Sequence, residues 1–127
     1  MTPEEVLLKA ADDIAERGHA KSVFYDCKLD GGTKAAWETA PACALGAIGR
    51  TLAVTKSGEL APCAIEDLEN HEAVRRLAAS ILTHRSDLIR LRVDGGDCYD
   101  VITEFNDMPE TTGEDVILAM KRAAHDG

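Results

Sequence analysis

A chain of 127 residues, 45% of them hydrophobic, is long enough to bury the core of one domain without disulfide or metal staples. A net charge of −9, from 23 acids and 14 bases, excludes general binding to phosphate backbones, which needs clustered Lys and Arg. Aromatic residues at 4% leave Leu, Ile, Val and Ala to fill the interior, and such interiors are built from helices more readily than from sheet sandwiches. The expectation is a mainly α fold, a compact single-domain bundle of four to five helices over residues 1–127. The polar opening and the lack of a long apolar run predict neither signal peptide nor membrane contact. A cytoplasmic setting follows, in which Cys27, Cys43, Cys63 and Cys98 stay reduced.

In chain order, Thr2 is placed to cap a helix, with Pro3 at its first position and Glu5 at its third, a capping box. Leu7, Ala10, Ala11 and Ile14 follow at helical spacing while Lys9, Asp13 and Arg17 face elsewhere, and Gly18 can stop the helix in a left-handed conformation. The first helix is therefore predicted near 3–17. Val23-Phe24-Tyr25 is a candidate strand, and Asp30-Gly31-Gly32 a turn. A second helix is expected near 40–54, capped by Thr39, with Pro41 in its first turn. It would hold Gly46 and Gly49, each costing roughly 1 kcal/mol against Ala. That cost predicts close approach of another element, expected to be the Ala-rich face of the first or last helix.

Residues 62–68 suggest a short helical turn. A third helix is predicted near 71–83 with Asn70 as cap and Ala73, Val74, Leu77, Ala78, Ile81 and Leu82 as its apolar stripe. Arg75, Arg76 and Arg85 read as a solvated face, since no aromatic residues interleave with them. Residues 89–93 alternate apolar with Arg, which is strand-like, and could pair with 23–25 in one two-stranded ribbon. Asp97 can cap a helix over 98–105, which Asn106-Asp107-Met108-Pro109 ends. Thr112 and Asp115 form a second capping box, opening a last helix near 113–124. Its likeness to the opening Thr2–Leu8 stretch reads as convergence of two capped starts. The predicted core is Leu7, Ile14, Leu45, Ile48, Leu77, Ile81, Ile102, Phe105, Val116 and Met120.

Two stretches together carry a resemblance. They are Cys43-Ala44-Leu45-Gly46-Ala47-Ile48 and Ile102-Thr103-Glu104-Phe105-Asn106-Asp107, the latter followed by Thr112, Glu114-Asp115-Val116 and Ala123-Ala124. The pairing resembles a family of small proteins of unknown function from actinobacteria and their bacteriophages. That family has a Cys-x-x-Gly-Ala helix, an aromatic-Asn-Asp motif and a Thr-capped, Ala-rich final helix. Its usual aromatic residue is Trp where this chain has Phe105, and residues 55–96 carry none of its motifs. The resemblance implies a phage or mobile-element origin and brings no activity.

The sharpest chemical candidate is Cys43, in the first turn of a predicted helix, where the helix dipole can lower a thiol pKa. With His19, His71 or His84 as base and Asn106 or Asp107 as orienting group, it would permit a thiol hydrolase or acyl-transfer enzyme. A small cysteine buried on a packed helix is the plainer reading. No Cys-x-x-Cys spacing occurs, and Asp94, Asp97 and Asp100 lack the calcium-loop pattern, so no metal and no cofactor are expected. Asn106 and Asp107 are candidate binding residues as a loop between helices, or plain turn formers. Residues 91–127 hold nine acids against three bases, which admits an acidic decoy of a nucleic-acid-binding protein. The leading expectation is a non-enzymatic accessory or interaction protein, phage-encoded, that binds a host or phage protein. The thiol enzyme and the acidic decoy are the alternatives.

Overall fold

In the computed structural model Thr2 Oγ1 accepts a hydrogen bond from the Glu5 amide at 3.2 Å, and α1 (Pro3–Arg17) runs from that cap to Gly18. Residues 1–27, 36–53, 55–56, 59–60 and 67–126 are described. Gly18 ends α1 at φ 101° and ψ 167°, an extended left-handed geometry open to glycine and not the αL conformation expected. Its amide still donates to Ile14 at 2.8 Å. The chain then crosses to α2 (Ala44–Thr51), and continues into a two-residue antiparallel pair, β1 (Thr55–Lys56) with β2 (Glu59–Leu60). After it come α3 (Glu72–His84), a 3₁₀ turn over Ser86–Leu88, α4 (Ile89–Val93), α5 (Cys98–Asp107) and α6 (Gly113–Asp126).

The fold is mainly helical, with only that one short ribbon among the described residues. α1 lies along α6, and each also packs on α3, while α2 bridges α1 and α5. All ten predicted core residues sit in one hydrophobic cluster. No helix among the described residues is long and apolar enough to cross a membrane.

Four further expectations are corrected here. First, α2 starts at Ala44, and its cap is Cys43 in place of Thr39, whose hydroxyl bonds Ala36 in a preceding turn. Residues 40–43 stay extended because Ala42 pairs with the chain leaving α1: the Ala20 amide donates to Ala42 O and the Ala42 amide to Gly18 O. The helix also stops at Thr51, with Ala53 at φ 57° beyond it. Second, residues 89–93 are helical, and 23–25 make only an isolated bridge from Tyr25 to Ala42. Five alternating residues fit either period, and without a strand partner the Arg-rich segment closes its bonds locally. Leu88 anchors it, fully buried. Third, His71 caps α3 in place of Asn70, its Nδ1 accepting from the Ala73 amide at 3.1 Å.

Fourth, the neighbour of Gly46 is not a helix. A Cβ there would lie 2.3 Å from the backbone carbonyl oxygen of Phe24. α1 does pack on α2, but the glycine makes room for the crossing strand-like segment. The expected turn at Asp30-Gly31-Gly32, most of the turn at 62–68 and Cys63 lie outside the described residues. Cys27, Cys43 and Cys98 are free thiols.

Candidate functional site

Asn106 is 1% exposed, on the last turn of α5, and its amide is fully used. Nδ2 donates to Ala20 O at 3.0 Å and to Asp107 Oδ1 at 2.8 Å. Oδ1 accepts from the Ala44 amide at 2.9 Å and from His19 Nε2 at 2.8 Å. An amide oxygen only accepts, so the His19 tautomer is the one protonated on Nε2. Asp107 Oδ1 also accepts from the Ser22 amide at 2.8 Å, and Lys21 Nζ donates to the Met108 and Pro109 carbonyls. The Asn-Asp motif thus clasps three separate stretches: residues 19–22, the start of α2 and the end of α5.

Beside the clasp a cavity of about 170 Å³ opens between residues 22–24 and α5. Val23, Phe24, Leu45 and Ile102 give it apolar walls, and Cys43, Tyr99, Thr103, Asn106 and Asp107 complete it. The Phe24 and Tyr99 rings meet edge to face at 6.3 Å. A second depression, lined by Leu91, Asp94, Gly95, Gly96, Tyr99, Asp100, Thr103 and Glu104, shares Tyr99 and Thr103 with the first. The two lie side by side along α5, and together are called the groove below.

Cys43 caps α2, its Sγ accepting from the Gly46 amide at 3.3 Å. Burial pushes its thiol up to about 11; the Gly46 and Leu45 amides oppose that shift and the Asp107 carboxylate adds to it. The helix N-terminus acts in the expected direction, but desolvation of the thiolate outweighs it. The histidines are placed elsewhere. His19 is turned to Asn106, His71 caps α3, and His84 is exposed in the last turn of α3. Of a thiol triad the structure brings together His19 and Asn106, and sets Cys43 next to Ala44, which bonds the same oxygen. Among the described residues no histidine hydrogen-bonds the thiol.

Asp97 and Asp100 form a reciprocal capping box at 3.0 and 3.1 Å. Asp94 is exposed in the turn before them. Among the described residues no three metal-ligating side chains converge.

Sequence reasoning missed a second polar network. Asp13, expected to face away from the core, is buried. Its Oδ2 accepts from Arg50 Nε and Nη2 at 2.9 and 2.7 Å, and its Oδ1 from Arg17 at 2.6 Å. Arg50 Nη1 reaches the Trp37 and Ala40 carbonyls, and its guanidinium lies 5.2 Å from the centre of the Tyr25 ring. The i, i+4 spacing of Asp13 and Arg17 is a signal that could have found one half of it, and an Arg at the end of an apolar helix is the only hint of the other. Tyr99, Thr103 and Phe24 were likewise missed, because only the fold sets them around one cavity.

The model of a family of unknown function, DUF6197, matches residues 1–126. Neither the curated proteins nor the solved structures include a match to the chain.

Proposed function

We propose that this chain, which belongs to the DUF6197 family, is a non-enzymatic accessory protein that docks a partner protein in the groove along α5. The observation that carries this reading is the cavity beside Cys43. At about 170 Å³ it matches one bulky side chain, it is open at the surface, and its walls are mainly apolar with a polar edge at Thr103, Asn106 and Asp107. The same cavity offers poor chemistry. Its thiol is held protonated through neutral pH and no histidine reaches it. An anchor side chain seated in a desolvated pocket is the usual centre of a protein interface. The motif resemblance further supports an actinobacterial or phage origin, with action in the host cytoplasm.

The test is affinity capture from an actinobacterial lysate with the wild-type chain and Thr103→Arg. Thr103 is half-buried and lines both halves of the groove, so the longer side chain fills it while suiting the helix. A partner held by the wild type and lost by the variant supports the reading. A partner held equally by both places the interface elsewhere. Thioester hydrolysis that Cys43→Ala abolishes would instead support the thiol enzyme.

A further inference from the structure

Resting on the docking reading, we infer that the groove takes a cationic amphipathic segment, in which a bulky apolar side chain is flanked by Lys or Arg. The apolar half of this inference comes from the cavity walls, Val23, Phe24, Leu45 and Ile102. The cationic half comes from α5 itself. Asp97, Asp100, Glu104 and Asp107 stand three, four and three positions apart. At about 100° per residue Asp100, Glu104 and Asp107 fall within one quarter of the helix circumference, and Asp97 caps the start of the helix. Asp97, Asp100 and Glu104 are exposed, and Asp107 sits half-buried at the cavity mouth. Asp94 joins them across the second depression.

The chain's own cations offset this stripe only in part: Lys21, Arg90 and Arg92 stand against five carboxylates, those of Asp94, Asp97, Asp100, Glu104 and Asp107. Lys21 is tethered to the Met108 and Pro109 carbonyls at one end of the stripe, and Arg92 lies against Cys98 Sγ at 3.7 Å. Arg90 touches Glu104 at 3.4 Å, with both side chains about half exposed, so the contact is weak and displaceable. Burial first, then the nearby Glu69, Asp97 and Asp100 carboxylates, pushes the Tyr99 hydroxyl, where the two depressions meet, up to about 12. An acidic segment would be repelled along the whole length of α5, whereas a basic one is steered onto it and gains where its apolar side chain leaves water.

Selection of a random displayed-peptide library on the full chain at low salt tests this. Peptides that bind the wild type and are lost on Thr103→Arg should be enriched in Lys or Arg next to a Leu, Phe or Trp. A synthetic peptide of that kind should bind about tenfold or more weakly at high salt. Glu104→Gln combined with Asp94→Asn, both at exposed positions lining the second depression, should weaken it several-fold without changing the unfolding midpoint. Enrichment of neutral or acidic peptides that Thr103→Arg still blocks would overturn the charge inference and leave the docking site standing. Failure to recover any peptide that depends on Thr103 would overturn both.

Discussion

Asn106 Oδ1 accepts from the Ala44 amide at 2.9 Å, across 62 positions of sequence, so the end of α5 caps the start of α2. The same side chain holds Ala20 and His19, and it is the point where the sequence motif becomes tertiary structure. Asn106→Ala leaves the Ala44 N–H and the Ala20 C=O without partners in the interior. The expected loss is roughly 2–4 kcal/mol, read as a lower urea midpoint with an unchanged slope. A midpoint equal to wild type would show that water replaces the clasp.

Cys43 is expected to alkylate last among the described cysteines. With its thiol at about 11, the reactive thiolate is scarce at pH 8, and the native iodoacetamide rate should climb about tenfold per pH unit toward pH 11. Mass mapping against Cys27 and Cys98, both half-buried, reads this directly. The linked stability change has a definite sign. The pKa rises on folding from 9.0 to about 11, so the contribution is intact below pH 9 and is lost as pH climbs toward 11. Labelling of Cys43 ahead of the other two at pH 7 would return attention to thiol catalysis.

Gly46→Ala should destabilise although alanine is the better helix former. The new Cβ meets the Phe24 carbonyl oxygen at 2.3 Å. That carbonyl already accepts from the Cys43 amide at 3.0 Å, so it cannot retreat without breaking the bond that starts α2. Overpacking of this kind costs roughly 1–3 kcal/mol. A raised thermal midpoint in Gly46→Ala would contradict the close approach.

Asp13 and Arg50 should behave as a coupled pair. Their side chains are 8% and 9% exposed, so Asp13→Ala leaves a buried guanidinium short of its counter-charge, at a cost of roughly 3–5 kcal/mol. Arg50→Met should cost a similar amount, and the double variant much less than the sum of the two. Additive losses in denaturant melts would mean that Arg50 acts through the Trp37 and Ala40 carbonyls alone.

Local chemistry and periodicity determined much of this protein from the sequence by itself. The caps at Thr2, Asp97 and Thr112 act within three residues of themselves, so they are legible without a fold. The apolar stripes of α1, α3 and α6 repeat over three turns or more, long enough to fix the period and hence the buried face. The candidate site was legible only in part: Cys43, Asn106 and Asp107 stood out, but as separate motifs.

The tertiary structure decided whatever depended on a partner distant in sequence. Whether residues 89–93 formed a strand depended on a neighbouring strand, and none of the described residues pairs with them. Where α2 began depended on Ala42 pairing with residues 18–20, and on Asn106 offering its oxygen to Ala44. Burial of Asp13 depended on Arg50 arriving from another helix to meet its charge. The groove exists because the fold brings residues 22–24 and α5 together beside Cys43. Such pairings are chosen by the combined burial and hydrogen-bond energy of the whole chain, which no short window of residues contains.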